Sequence, residues 1–144
     1  MPIFLKRTNM TKFDLLIIDD DELFLMLNKR EVIKSGFHPS PITFNNGPMG
    51  LTWLHENDGE ERSVLIFLDI NMPQMDAWGF LEAVNKAEYK ANIKIFIVTS
   101  SADPKDKIKA DSYDNVLGLI EKPVNRDVLQ KMKLDAALHG FFET

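Results

Sequence analysis

Val64–Leu68 (VLIFL) is an unbroken run of β-branched, aromatic and aliphatic side chains that stops at a carboxylate, Asp69. A strand with one wet face alternates apolar and polar residues, whereas a strand covered on both faces is apolar throughout and belongs to a parallel sheet flanked by helices. Ile93–Val98 (IKIFIV) is another run of buried type, and Phe13–Ile18 (FDLLII) and Val116–Ile120 (VLGLI) read as two further strands. Ser40–Phe44, interrupted by Pro39 and Pro41, is a weaker strand that suits a sheet edge. Between these five runs lie segments with helical start and stop signals. Asp21 is placed to cap a helix over Glu22–Ser35 that Gly36 stops. Asn46-Gly47-Pro48 opens Met49–Glu56, and Asp76 precedes Ala77–Val84. Asp103-Pro104 starts a short charged helix, Lys105–Ala110, and Asn125 or Asp127 caps a last helix that ends at Gly140. Strict alternation of strand and helix implies right-handed crossovers, hence an α/β fold: a doubly wound five-stranded parallel sheet with helices on both faces.

At 144 residues the chain can bury roughly 70% of its unfolded surface in one core. The absence of cysteine points away from disulfides and thiolate metal sites, and toward a reducing, cytoplasmic setting. A net charge of −5, from 22 acidic and 17 basic residues without a long basic run, argues against nucleic acid as a partner. No stretch approaches the roughly 20 apolar residues of a membrane span.

The chemistry gathers at the strands' C-terminal ends. Asp19, Asp20 and Asp21 follow the first strand, Asp69 the third, Thr99 the fourth, and Glu121-Lys122-Pro123 the fifth. In an open parallel sheet these ends share one crevice, where ligands bind. Asp21 is accounted for by capping; Asp19 and Asp20 are not. Three carboxylates left together repel one another, so the pocket calls for a cation. Oxygen donors without His or Cys suit a hard ion, and a few carboxylates that leave room for water and phosphate oxygens favour Mg²⁺ over Ca²⁺. Lys122 adds a positive charge and Thr99 a hydroxyl, which together suit a phosphoryl group. Asp69 is the candidate nucleophile, giving an aspartyl phosphate.

IIDDDE (Ile17–Glu22), LDINMPQMD (Leu68–Asp76), VTSS (Val98–Ser101) and EKP (Glu121–Pro123), in this order, make the chain resemble the receiver domain of two-component response regulators from Phe13 to about Leu138. The resemblance implies the flavodoxin-like strand order 2-1-3-4-5 and Asp69 as phosphoacceptor. It implies Mg²⁺ held by Asp20, Asp69 and the backbone carbonyl of Asn71, with Asp19 acting through water. Thr99, Ser100 and Lys122 would bind the phosphoryl group, and the donor would be a histidine kinase or a histidine phosphotransfer protein. On this reading residues 1–12 are a flexible leader, 13–140 the receiver domain and 141–144 a tail. The chain would act without a covalent output domain, docking on a downstream target protein; it would be a signalling phosphoacceptor that catalyses its own phosphorylation and dephosphorylation.

Two positions depart from the family pattern. Ala77 stands where Gly is usual, and Leu119 stands at the switch position, where Tyr or Phe is usual; a leucine there is expected to mute the conformational response. A haloacid dehalogenase-class phosphatase is the enzyme alternative, but its nucleophile lies on the first strand in a DxDxT-like pattern, and Asp19-x-Asp21 is followed by Glu22 and Leu23. A receiver-shaped binding module that is never phosphorylated is the other alternative. On the first helix, Leu23, Met26, Leu27 and Ile33 form the expected core stripe, leaving Leu25 and Val32 as candidates for a partner surface. Val128, Leu129, Met132 and Ala136 form the stripe of the last helix, with Leu134 and Leu138 off it as a second surface.

Overall fold

The computed structural model describes residues 12–101 and 103–142. Five strands, β1 (Asp14–Ile18), β2 (Ile42–Phe44), β3 (Ser63–Asp69), β4 (Asn92–Thr99) and β5 (Val116–Glu121), form one parallel sheet in the order β2-β1-β3-β4-β5. The helices are α1 (Glu22–Lys34), α2 (Gly47–Glu56), α3 (Ala77–Ala87), α4 (Pro104–Asp111), α5 (Arg126–Lys133) and a final turn α6 (His139–Phe142) that follows a 3-10 turn over Ala136–Leu138. The leader expected at residues 1–12 lies, apart from Lys12, outside the described residues.

The unbroken apolar runs are explained by two cores, one on each sheet face. Side chains alternate across a strand, so Leu16, Ile18, Ile66, Leu68, Ile95 and Ile97 pack under α2, α3 and α4, against Leu54, Phe80, Leu81 and Val84. Leu15, Ile17, Leu65, Phe67, Phe96 and Val98 point the other way and meet α1, α5 and the last turns through Leu25, Val32, Leu129, Met132, Leu138 and Phe141. Each such side chain contributes about 1.5–3 kcal/mol by leaving water. Gly50 is needed where α2 crosses the sheet: a Cβ there would lie 2.6 Å from Ile18 Cδ1 in the filled core.

Helix ends follow the expected chemistry. Asp21 Oδ1 accepts the N–H groups of Leu23 and Phe24 at 3.1 and 3.2 Å, and Asp76 Oδ1 accepts that of Gly79. Asn125 is the cap of α5, its Oδ1 accepting the Val128 N–H. Gly36, at φ 81°, closes α1 with Phe37 N–H bonded to Val32 O and Gly36 N–H to Ile33 O.

Three expectations are corrected. On α1 the faces are reversed: Leu25 and Val32 are buried, whereas Leu23, Met26, Leu27 and Ile33 are 44–60% exposed. The buried face is Leu25-Asn28-Val32, and a polar residue at its centre made the apolar stripe beside it look like the core. Leu138 is fully buried while Leu134 is 84% exposed, because α5 ends at Lys133 and the chain turns before Leu138. The core also runs past Gly140. Phe141 is buried, and it and Phe142 pack on Phe13 at ring-centroid distances of 5.3 and 5.0 Å. The edge strand β2 keeps only three of its five expected residues, in line with the prolines ahead of it.

Candidate functional site

Parallel register brings the functional residues to one edge. Ile18 lies opposite Leu68, Asp69 opposite Val98 and Thr99 opposite Glu121, so the residues that end β1, β3, β4 and β5 converge. The carboxylate oxygens of Asp19, Asp20 and Asp69 come within 4.8 Å of one another. Asp19 and Asp69 are buried, and Asp20 is exposed at the mouth. Asp19 is held by the backbone, its Oδ1 accepting the Asp21 N–H at 2.9 Å, and its Oδ2 pairs with Lys122 Nζ at 2.7 Å. The same ammonium lies 3.4 Å from Asp69 Oδ1.

One lysine against three carboxylates leaves the pocket negative. Burial, with the Asp19 charge beside it, raises the Asp69 pKa to about 6 although Lys122 opposes the shift. Burial alone would lower the Lys122 pKa; the hydrogen bond and charge of Asp19, with the charge of Asp69, outweigh it and raise it. Three carboxylates, two buried and one exposed, with oxygens within 4.8 Å of one another are what a hard divalent cation would satisfy, so the residues present fit such an ion.

Of the other expected site residues, Thr99 is buried at the edge of the pocket, but its hydroxyl bonds within its own loop. It donates to Ser101 O and accepts the Ser101 N–H, both at 3.2 Å. Ser100 and Asn71 are exposed on the loops after β4 and β3. Leu119 is half-buried on β5 opposite Ile97 and packs against the core under α3 and α4. Ala77 is fully buried and donates its N–H to Ile70 O. Phe24 was not legible as a site residue in the sequence: its ring lies 4.2 Å, centroid to Nζ, from Lys122. The two residues are distant in the chain, and nothing in the sequence pairs them.

Sheet order, strand-end carboxylates and the lysine after β5 together define a protein class. The chain belongs to the response regulator receiver domain family, whose model matches residues 15–133; receiver domains are the class that works in two-component signalling.

Among its relatives, a "probable methanogenesis regulatory protein" of Methanothrix harundinacea is 25% identical over 121 residues, covering 83% of this chain and 77% of that protein. The 3',5'-cyclic-nucleotide phosphodiesterase regA of Dictyostelium discoideum is 24% identical over 140 residues, 92% of this chain but only 16% of the relative's length. Among solved structures, a two-component response regulator from Legionella pneumophila superposes with a TM-score of 0.71 at 28% identity, over 84% of this chain and 95% of that one. No helix among the described residues is long and apolar enough to cross a membrane.

Proposed function

We propose that the chain is the phosphoacceptor of a two-component phosphorelay, taking a phosphoryl group onto Asp69 from a histidine kinase or histidine phosphotransfer protein. The observation that carries this is the buried Asp69 carboxylate, held beside Asp19, Asp20 and the Lys122 ammonium at one sheet edge. A carboxylate oxygen of Asp69 forms the new O–P bond as the P–N bond of the donor's phosphohistidine breaks, and the donor imidazole keeps that electron pair. Lys122 and the Thr99 hydroxyl, turned from its loop, meet the phosphoryl oxygens; Ser100 adds a hydroxyl at the mouth. Asp20, Asp69 and the Asn71 carbonyl, with Asp19 through water, would hold Mg²⁺. The ion would neutralise phosphoryl charge during transfer. Asp21, whose carboxylate caps α1, is not free for the first-strand chemistry of a phosphatase.

The donor docks on α1. Its exposed stripe of Leu23, Met26, Leu27 and Ile33 begins one turn from Asp20. It adjoins a groove of about 310 Å³ between α1 and the segment after Lys122, lined by Phe24, Leu27, Asn28, Pro123 and Val124 among others. A helical protein seated there brings its phosphohistidine to the pocket mouth. Output runs through docking on a target protein.

Intact-mass measurement after incubation with phosphoramidate and Mg²⁺ tests the reading. The wild-type protein gains one phosphoryl group; Asp69→Asn, which keeps the shape and loses the nucleophile, folds and gains none. An adduct on Asp69→Asn would assign the wrong residue, and steady hydrolysis of added phosphomonoesters would favour the phosphatase.

A further inference from the structure

Lys122 carries its charge on a flexible four-carbon stem, and such a side chain serves a phosphoryl group only if its ammonium is confined. In the resting pocket it is confined by two carboxylates, Asp19 at 2.7 Å and Asp69 at 3.4 Å, and by the face of Phe24 at 4.2 Å. The two carboxylates do not stay constant through the proposed reaction. Asp69 becomes an acyl phosphate, and the acid pocket turns toward a cation. The aromatic ring changes neither charge nor bonding. It is rooted in the first turn of α1, whose start is fixed by the Asp21 carboxylate bonded to the Phe24 N–H itself.

We propose that Phe24 is a positioning residue for phosphoryl transfer: its ring holds the Lys122 ammonium at the pocket by a cation–π contact that persists when the carboxylate partners are drawn away. The inference rests on the phosphoacceptor reading above. A ring quadrupole attracts an ammonium over its face without an acceptor atom that would compete with the phosphoryl oxygens. An aliphatic side chain in the same place would fill the space but leave the ammonium held only by groups that the reaction alters. Leu23 and Leu25 flank Phe24 in sequence but face solvent and core respectively, so neither can replace the ring.

The experiment follows phosphoryl acceptance from phosphoramidate and Mg²⁺ by intact mass, a small donor that needs no docking surface, in wild type, Phe24→Leu, Phe24→Tyr, Lys122→Met and the Phe24→Leu/Lys122→Met double variant. Phe24→Leu should be slowed about three- to tenfold, Phe24→Tyr should stay within about twofold of wild type, and Phe24→Leu should have no further effect once Lys122 is Met. A wild-type rate in Phe24→Leu, or the same slowing in the Lys122→Met background, overturns the proposal. As a second readout, the Lys122 Hε resonances of ¹³C-lysine-labelled protein should be shifted upfield by the ring, both free and with Mg²⁺ and the phosphoryl mimic beryllofluoride. Loss of that shift on adding the mimic also overturns it. A wild-type protein that takes no phosphoryl group overturns the phosphoacceptor reading, and the inference with it; the other failures leave that reading standing.

Discussion

Asp69 is costly to keep charged in the metal-free protein, and the cost has a testable sign. Burial and the Asp19 charge raise its pKa from the ordinary 3.8 to about 6. The native state therefore holds this proton more tightly than the unfolded chain. The stability linked to it is present below about pH 4 and is lost as pH rises through about 6. His38 slopes the other way. It is buried, with Nε2–H donated to Phe13 O and Nδ1 accepting the Ser40 N–H; burial lowers its pKa, against the opposing pull of the Phe13 carbonyl. That contribution is lost as pH falls below about 6.5, and it cancels when two variants sharing His38 are compared. Without metal, Asp69→Asn should accordingly be more stable than wild type at pH 7–8 by about 2–3 kcal/mol, with the gap closing toward pH 4. Millimolar-scale Mg²⁺ should raise the wild-type melting temperature and leave Asp69→Asn nearly unmoved. Denaturant titrations across pH check the first statement and thermal melts the second. At this scale the acids and the lysine are legible because each lies within two residues of the apolar end of a strand. The Phe24–Lys122 contact was not, since it depends on how two elements far apart in sequence approach.

Helix α1 carries the main correction at the scale of elements. Both of its apolar stripes satisfy helical periodicity; the structure buries the one that contains Asn28, which is 2% exposed and has no side-chain hydrogen-bond partner among the described residues. Hydrophobic counting favours the other stripe, whose four large apolar residues face solvent. The face is decided by tertiary packing, Leu25 and Val32 meeting Leu15, Ile17, Leu65 and Phe67 of the sheet, which periodicity does not register. Two sets of substitutions should therefore separate cleanly. Leu25→Ala and Val32→Ala should each destabilise the fold, Leu25→Ala by about 2–4 kcal/mol. Leu23→Asp and Met26→Asp should change stability by less than about 1 kcal/mol while slowing phosphotransfer from a protein donor and leaving acceptance from phosphoramidate unchanged. Loss of both donors' reactions alike would remove α1 as the docking face. Helix α5 shows the same limit: Leu129 and Met132 were correctly placed, but the stripe extended to Ala136 assumed a helix that stops at Lys133.

The sheet was the most legible feature of the whole molecule. Runs with no polar face admit one architecture, and strand order followed from the family resemblance, with β2 at the edge as its prolines require. If the chain is phosphorylated as proposed, its response would be read on the face between β4 and β5. Leu119 lies half-buried opposite Ile97, without a large ring to move between core and solvent, so its alternative rotamers differ little in the surface they present. A ligand shifts an equilibrium only by its differential affinity for the two states. The response should then stay local to the loops after Asp69 and Thr99, which suits passing phosphoryl groups onward better than switching a target by shape. Amide exchange with and without beryllofluoride and Mg²⁺ should show changes near Asn71 and Ser100. Comparable changes through α4 and around Leu119 would contradict this. The central claim, that Asp69 is the phosphoacceptor, is tested most directly by trapping the acyl phosphate with borohydride and mapping the product by peptide mass spectrometry. Homoserine is expected at position 69 alone, dependent on Mg²⁺; reduction at Asp19, Asp20 or another carboxylate, or no reduced residue after incubation with phosphoramidate, would show that Asp69 is not the acceptor.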